Sequence, residues 1–284
     1  MFSGDQTRAL LDWHIAMGID ETISEHPVDS FVQPKLAVVL EKETLHDLAP
    51  APPLTSLTAR APATSRPVIV SPAAPPPSGE ASVRAATKLA AAANTFDDLQ
   101  TALSDFDGCA LKKTATSMVF ADGNPAGRVL LIGEAPGAEE DRQGKPFVGP
   151  SGRLLDKMLW SIGLDRGQVL ISNTVFWRPP GNRTPTTTEV ATCLPFVQRM
   201  VELMMPEVIV PLGGPAAKSL LEQTAGIGKL RGRWFTYTTA NLSVPIAVTP
   251  LFHPAYLLRT PAQKRPTWRD LLLIRQRLDS AVGA

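Results

Sequence analysis

The chain has 284 residues, 44% of them hydrophobic, which is enough for one or two domains with a buried core. Its net charge of +1 conceals a split, because residues 1–104 hold 7 Lys and Arg against 12 Asp and Glu, whereas residues 105–284 hold 21 against 15. The basic second half favours a polyanionic partner, although a surplus of this size is also common on ordinary enzymes. With only 2 cysteines, the composition excludes a disulfide scaffold.

The sequence pattern contains no membrane or export signal. No apolar run approaches the ~20 residues that span a bilayer. Residues 1–20 carry acids and a Trp–His pair where a signal peptide requires an apolar stretch. We therefore expect a cytoplasmic protein that does not contact a membrane, and we expect it to be a monomer.

An amphipathic helix is predicted near the start of the chain. Residues 6–18 place apolar side chains at roughly helical spacing and end at a glycine, which suits a helix stop. The apolar residues of this helix are Leu10, Leu11, Trp13, Ile15 and Met17. The segment 1–44 that contains it would dock on its own domain or on a protein partner.

A Pro- and Ala-rich segment follows over residues 45–95. Nine of the 27 prolines lie between Pro50 and Pro77. Such a composition buries too little apolar surface to offset the entropy lost on ordering. It predicts an extended or disordered linker and leaves residues 96–284 as the folded domain that carries the activity.

Strand and helix patterns alternate within that domain. Four short, continuous apolar runs are typical of strands buried in a parallel sheet; they are 128–133, 168–175, 207–213 and 245–252. Helical patterns cover 151–162, 186–205, 214–223 and 266–280, the second opening on a capping box of Thr186 and Glu189. The order predicts an α/β fold, a three-layer α/β/α domain with a central, mainly parallel four-stranded sheet.

The loop after the first strand concentrates negative charge. Four carboxylates, Glu134, Glu139, Glu140 and Asp141, fall within eight residues directly after an apolar strand. Glycines and prolines on both sides predict a shaped loop rather than a helix. Such a loop is either a simple turn or part of a site at the carboxyl ends of the strands.

Two more strand ends carry side chains suited to chemistry. Asn173 ends the second strand, and His253, the only histidine of the basic half, ends the fourth. Each alone has a simpler interpretation, as a strand-end turn residue or a structural histidine. Because parallel strands end at one edge of a sheet, the coincidence of three such loops favours a binding or catalytic site there.

The three loops resemble the three motifs of the uracil-DNA glycosylase superfamily, and those of its family 4 in particular. The stretches are GEAPGAEEDRQGKPFVG, NTVFWRPPGNRTP and HPAYLLR. The similarity runs from about Cys109 to Leu278 and leaves residues 1–104 outside it. It implies a DNA repair enzyme that flips uracil out of DNA and hydrolyses its N-glycosidic bond, leaving an abasic site. The implied partner is DNA that contains uracil, or its abasic product.

The resemblance also implies roles for individual residues. Phe147 matches the aromatic side chain that stacks on the flipped base, and Asn173 matches the residue that reads its edge. His253 matches the group that stabilises negative charge on uracil O2. Glu134 and Glu140 match carboxylates that hold water and support the sugar cation. The other implied substrate-binding residues are Gly133, Ala135 and Gly137, with Ala135 standing where more familiar glycosylases have a catalytic Asp.

DNA contacts are implied around the rim of the site. The residues expected to contact DNA are Arg142, Lys145, Arg178, Arg183, Leu257, Arg259, Lys264 and Arg265. The remaining two acids of the first loop, Glu139 and Asp141, are interpreted as solvated surface or helix-cap residues.

The sequence departs from family 4 at the positions of its [4Fe–4S] cluster. The four cysteine ligands of that family fall here at Phe106, Cys109, Trp177 and Cys193. Only two thiols remain, whereas a four-iron cluster needs one ligand for each iron. We therefore expect no metal and no cofactor, with the two aromatic rings filling the vacated volume.

Two other functions remain open on the sequence alone. A non-catalytic or slow-turnover protein that binds uracil-containing or abasic DNA would keep the same pocket residues. An enzyme acting on nucleotide phosphates could use the GEAPG loop as a cradle, but the chain lacks the Lys-Ser/Thr pair of a P-loop.

Overall fold

The computed structural model describes residues 79–282, so the predicted N-terminal segment 1–44 and most of the predicted linker lie outside the described residues. The helices are α1 (Gly79–Ala92), α2 (Phe96–Asp105), α3 (Ala138–Gln143), α4 (Pro150–Trp160), α5 (Thr187–Met204), α6 (Gly214–Leu221), α7 (Ile227–Leu230), α8 (Pro254–Arg259) and α9 (Lys264–Val282). The strands are β1 (Ala121–Gly123), β2 (Val129–Gly133), β3 (Val169–Asn173), β4 (Val208–Pro211), β5 (Phe235–Tyr237) and β6 (Ile246–Val248). Short 3₁₀ turns lie at Ala110–Lys113, Pro180–Asn182 and Pro261–Gln263.

The strands form one sheet in the order β1-β3-β2-β4-β6-β5. The four inner strands are parallel and coincide with the four apolar runs, so the predicted parallel core is confirmed. The predicted count of four strands is wrong, because β1 and β5 add an antiparallel strand at each edge. Each edge strand has three residues and is partly exposed, so it leaves no continuous apolar run in the sequence.

Helices cover both faces of the sheet, which confirms the predicted three layers. Successive strand residues point to opposite faces. Leu130 and Ile132 pack into one buried cluster with residues of α1, α2 and α5. Val129 and Leu131 pack into a second cluster with residues of α4 and α9. No helix in the range 79–282 is long and apolar enough to cross a membrane.

The four helices predicted within residues 96–284 are present with small shifts at their ends. The capping box that opens α5 is confirmed, since the Thr186 side chain accepts from the Glu189 backbone N–H and the Glu189 side chain accepts from the Thr186 N–H. This reciprocal arrangement satisfies two backbone donors that the first helical turn would otherwise leave unpaired.

The predicted linker is wrong over its last part, because α1 is an ordered helix within residues 45–95. Ser82, Ala86 and Ala90 recur at four-residue spacing and are all buried. The helix packs on α5, and Arg199 of α5 donates to the carbonyl of Ala93 just beyond α1. Small side chains let two helices approach closely, so an alanine-rich composition here reflects packing rather than disorder. The folded domain therefore begins by Gly79.

A pair of neighbouring substitutions tests the docking of α1. Ala86 is buried against the domain, whereas Ala85 on the same helix is exposed. We predict that Ala86→Asp lowers the free energy of unfolding by about 2–4 kcal/mol, because it buries an unpaired charge. The control Ala85→Asp should change it by less than about 0.5 kcal/mol. Denaturant titration of both variants measures this, and equal effects would show that α1 does not pack on the domain.

Candidate active site

A cavity of about 890 Å³ opens at the carboxyl ends of the inner strands. Its walls come from the loops after β2, β3 and β4 and from the segment between β6 and α8. The structure brings seven of the predicted pocket residues together in its lining: Glu134, Ala135, Gly137, Glu140, Phe147, Asn173 and His253. Parallel strand direction explains why the loops that carry these residues converge, as expected for an α/β sheet.

The acidic loop folds differently from its prediction, because residues Ala138–Gln143 form the short helix α3. Glu139 lies on the exposed side and pairs with Arg142. Asp141 is buried, and one carboxylate oxygen accepts the backbone N–H groups of Thr116 and Ser117 at 2.8 and 3.0 Å. The interpretation of Asp141 as a surface or cap residue is therefore wrong: it anchors the loop at residues 116–117.

Glu134 lies at the end of β2 with its side chain in the cavity. Its backbone carbonyl accepts from the Thr174 hydroxyl at 2.7 Å and from the Val175 N–H at 3.3 Å, which fixes the residue against the next strand. Burial raises the pKa of the Glu134 carboxyl, and a hydrogen bond from Thr184 opposes that rise. A carboxylate held in such a site interacts with a nearby cation more strongly than one in water.

Glu140 has a structural contact as well as a place in the cavity. Its Oε1 accepts the backbone N–H groups of Val148 and Gly149, both at 2.9 Å. These bonds tie α3 to the loop that leads into α4. The sequence suggested only a catalytic role for Glu140, since hydrogen bonds to backbone atoms leave no side-chain pattern.

Phe147 forms one wall of the cavity beside His253. Its side chain is buried, and its ring centroid lies 5.6 Å from that of the histidine with an interplanar angle of 32°. Gly133 makes room for this arrangement, because a Cβ there would stand 2.4 Å from Asn173 Oδ1 and 2.7 Å from Phe147 Cζ. Any larger residue at 133 would push the ring or the amide out of place.

Asn173 presents an unsatisfied donor to the cavity. The residue ends β3 and is 1% exposed, and its Nδ2 has no hydrogen-bond partner. A buried donor without a partner is costly and uncommon in folded proteins. Since the side chain lines the cavity, this donor is available to a ligand that carries a hydrogen-bond acceptor.

His253 is the N-cap of α8, and its protonation is fixed by this position. Nδ1 accepts the Ala255 backbone N–H at 3.1 Å. Burial lowers the pKa of His253 to about 4, with a further lowering by Arg259 and an opposing effect of Glu140. The ring is therefore neutral near pH 7, and its proton must lie on Nε2 because Nδ1 is the acceptor. His253 thus supplies the cavity with a neutral N–H donor.

The predicted DNA-contacting residues divide into free and engaged groups. Arg259 is exposed and lines the cavity, and Lys264 and Arg265 are exposed at the start of α9. Arg183 also lines the cavity, but both of its terminal nitrogens bind the Glu189 carboxylate. Arg178 donates to Asn182 Oδ1.

The other predicted DNA contacts lie on the first motif and on α8. Arg142 pairs with Glu139, and Lys145 Nζ lies 3.7 Å from Asp122 Oδ1. Both cations are largely exposed. Leu257 is a wrong prediction, since it is 1% exposed and belongs to the core cluster of α4 and α9. Its neighbour Leu258 is 44% exposed and is the leucine available at this surface. A six-residue helix is too short for sequence periodicity to separate the two.

Sequence reasoning missed a fourth wall of the cavity. The residues after β4, together with the start of α7, contribute Leu212, Gly213, Gly214, Pro215, Ile227 and Gly228. Phe252, Tyr256 and Ser151 complete the lining from other elements. The Gly-Gly-Pro run directly after an apolar strand was the available signal, since a turn there must also face the carboxyl edge of the sheet.

The four positions expected to match iron ligands do lie in one buried region. Cys109 and Cys193 are 3.9 Å apart at their Sγ atoms, and Phe106 and Trp177 belong to the same buried cluster. The Phe106 ring packs 5.3 Å from that of Phe196. Two thiols and two apolar rings do not fit a four-iron cluster, which needs four ligands. Within residues 79–282, no group of three or more His, Cys, Asp or Glu could hold a metal ion.

The chain is similar in sequence to a family of known proteins. The sequence model of the uracil DNA glycosylase superfamily matches residues 120–273, more than half of the chain. The chain is 37% identical over 175 residues to the type-4 uracil-DNA glycosylase of Pyrobaculum aerophilum, covering 60% of this chain and 88% of that protein. It is 38% identical over 173 residues to the type-4 enzyme of Sulfurisphaera tokodaii, covering 59% and 78%. The type-4 enzyme of Thermotoga maritima is 41% identical over 152 residues, covering 53% and 77%.

The lowered pKa of His253 predicts a pH dependence of stability. The free imidazole titrates at 6.5 and the folded one at about 4, so the unfolded chain binds more protons between these values. Stability should therefore fall as the pH drops from 6.5 to 4. Replacing His253 with Asn keeps an N-cap acceptor and removes this loss, on the order of 2–3 kcal/mol. The free energy of unfolding of both proteins is measured from pH 7.5 to 4. The same pH dependence in both would contradict the lowered pKa of His253.

Proposed function

This chain belongs to the uracil-DNA glycosylase superfamily, and we propose that it flips uracil out of DNA and hydrolyses the N-glycosidic bond to leave an abasic site. The observation that carries the proposal is the buried, unpartnered Nδ2 of Asn173 beside the Phe147 ring. A flat base stacked on that ring can bring an acceptor to the amide. The superfamily match and the type-4 relatives support the same reaction.

Base recognition rests on Phe147 and Asn173. The ring offers a flat apolar surface for stacking. The amide of Asn173 can accept from uracil N3–H through Oδ1 and donate to O4 through Nδ2. Cytosine presents the opposite pattern on this edge, an acceptor at N3 and an amino donor at N4. In a site closed to water such a mismatch leaves polar groups unpaired, which discriminates strongly between bases of similar shape.

His253 acts on the negative charge of the departing base. A neutral imidazole with its proton on Nε2 can donate a hydrogen bond to uracil O2 as that oxygen gains charge. Backbone N–H groups around Gly137 can add to the same stabilisation. A neutral donor suits this role, because it needs no counter-ion before the reaction and is already oriented by its bond to Ala255.

The carboxylates act on the other half of the reaction. Bond cleavage leaves a sugar with oxocarbenium character, and Glu134 and Glu140 can stabilise its positive charge and hold the attacking water. Ala135 provides no carboxylate of its own next to Glu134. Arg259, with Lys264 and Arg265 nearby in sequence, supplies positive charge for the DNA backbone outside the pocket.

A strand-cleavage assay tests the proposed reaction against the binding-only alternative. An oligonucleotide with one uracil is incubated with the protein and then treated with or without alkali, which cuts abasic sites. A glycosylase produces the cut strand only after alkali. An uncut strand under both conditions, with the DNA retained in a complex, would contradict the proposal and favour a binding protein.

Two substitutions at Glu140 separate its charge from its structural contact. Glu140→Gln keeps an oxygen that can accept from Val148 and Gly149 but removes the negative charge. We predict that it slows single-turnover excision on the order of a hundredfold and leaves DNA affinity nearly unchanged, because the charge acts on the transition state. Glu140→Ala should add a loss of uracil affinity by freeing the loop. Normal excision by the Gln variant would show that the charge of Glu140 is not needed and that the residue only anchors the loop at Val148 and Gly149.

Substitution of Asn173 by Asp tests the base-reading role. The carboxylate cannot donate to uracil O4, so we predict that Asn173→Asp loses at least about 2 kcal/mol of transition-state stabilisation on uracil. Excision rates on matched uracil and cytosine oligonucleotides measure the change in selectivity. If Asn173 only ended the strand, Asp would substitute with little loss, and near-normal uracil excision by the variant would remove Asn173 from the reading site.

A further inference from the structure

Phe147 is held in a strained backbone conformation. Its φ of 54° lies in the left-handed region, which a bulky aromatic residue rarely adopts. Such strain persists only where the surrounding structure determines the conformation, and it tends to occur at functional sites. The orientation of the ring in the cavity therefore depends on whatever fixes the backbone on either side of this residue.

Arg166, which lies outside the three motifs, binds this backbone directly. One terminal nitrogen donates to the Phe147 carbonyl, and the other donates to the Pro146 carbonyl at 3.3 Å. The guanidinium is itself held by two carboxylates, at 2.7 Å from Asp122 and 2.8 Å from Asp156. About a quarter of the side chain is exposed, at 26%. A mostly buried cation with this many partners forms a rigid support.

Glu140 binds the opposite side of the same peptide unit. The carbonyl of Phe147 accepts from Arg166, while the N–H of the next residue, Val148, donates to Glu140 Oε1. A cation thus faces the negative end of the 147–148 peptide and an anion faces its positive end. Charge-assisted hydrogen bonds of this kind are stronger than neutral ones. The left-handed φ of Phe147 is set by the preceding 146–147 peptide, and the bond from Arg166 to the Pro146 carbonyl holds that peptide. The peptides on both sides of Phe147 are therefore fixed.

Gly152 makes the same conformation sterically tight. A Cβ at this position would stand 1.6 Å from the Phe147 carbonyl oxygen, so only glycine allows the carbonyl to lie against the first turn of α4. The carbonyl is therefore packed against the helix on one side and bound to Arg166 on another. The position of this one oxygen is linked to the position of the ring.

We propose that Arg166 is a positioning residue for the reaction: by holding the peptides on both sides of Phe147, it keeps the ring where a flipped uracil can stack on it. The proposal rests on the proposed function, since it assigns the ring to uracil. Removing the guanidinium frees the Pro146 and Phe147 carbonyls, lets the two flanking peptides rotate and withdraws the ring from the cavity wall. The affinity for uracil then falls, while the contacts with the DNA backbone are unchanged.

A double-mutant cycle on the full chain tests this coupling. Affinity for free uracil is measured by calorimetry for the wild type, Arg166→Met, Phe147→Ala and the double variant. If Arg166 acts through the ring, Arg166→Met weakens uracil binding on the order of tenfold in the wild-type background and by less than about twofold once the ring is absent. The same loss in both backgrounds would overturn the proposal, because a general structural effect is additive.

Two controls make the result specific. Asp156→Asn removes a negative charge beside the same guanidinium but keeps an oxygen that can accept from Arg166 Nε, so both carbonyl contacts of Arg166 stay in place. It should leave uracil affinity within about twofold of the wild type. Affinity for a uracil-free duplex should also change by less than about twofold in Arg166→Met. A loss of uracil affinity in Asp156→Asn equal to that in Arg166→Met would contradict the proposal.

The double-mutant cycle can be measured with a second variant at Arg166, and it measures uracil binding rather than excision. If Arg166→Met does not fold, Arg166→Gln replaces it, with a smaller loss expected that again disappears in the Phe147→Ala background. Failure of the proposed function is recognised separately, because the wild type would then leave uracil in DNA. Additive losses in a wild type that does excise uracil would overturn the role of Arg166 alone.

Discussion

The pairing of Gly133 with Asn173 at the ends of two adjacent parallel strands is the constraint on which the cavity depends. The register of β2 and β3 places these residues side by side. Because Gly133 has no side chain, the amide of Asn173 and the ring of Phe147 can both occupy the space above it. The base-reading and base-stacking groups therefore meet at one point, and the remaining loops are arranged around it.

Burial gives the polar groups around that point their chemical character. It keeps His253 neutral, with the N-terminal turn of α8 selecting the tautomer, and it raises the pKa of Glu134. Both groups would behave as ordinary side chains in water. The cost of burying them is opposed by core packing on both faces of the sheet. Stability elsewhere in the domain thus maintains a site that is unfavourable by itself.

The sequence allowed much of this to be predicted where the signal was local. Continuous apolar runs identified the four parallel strands, and strand direction placed Glu134, Asn173 and His253 at one edge. Short or partly exposed elements were missed, as with β1, β5 and α3, because three to six residues do not establish a period. The burial of Asp141 and Leu257 depends on contacts with distant segments. The alanine spacing of α1 was visible, but composition outweighed it.

The supports of the site were beyond sequence reasoning for a different reason. Arg166, Glu140 and Gly152 act on a backbone carbonyl and on backbone N–H groups. Almost every residue has these groups, so no residue type in the sequence marks the contact. Their roles appear only when the main chain is placed in space. A motif shows which side chains face the substrate, and the structure shows what holds them there.

A crystal structure of the protein with bound uracil tests whether Phe147, Asn173 and His253 hold the base together. We expect uracil stacked on the Phe147 ring, with O4 at about 3 Å from Asn173 Nδ2 and O2 at a similar distance from His253 Nε2. Uracil bound elsewhere, or bound in the cavity with the Asn173 amide still unpartnered, would contradict it.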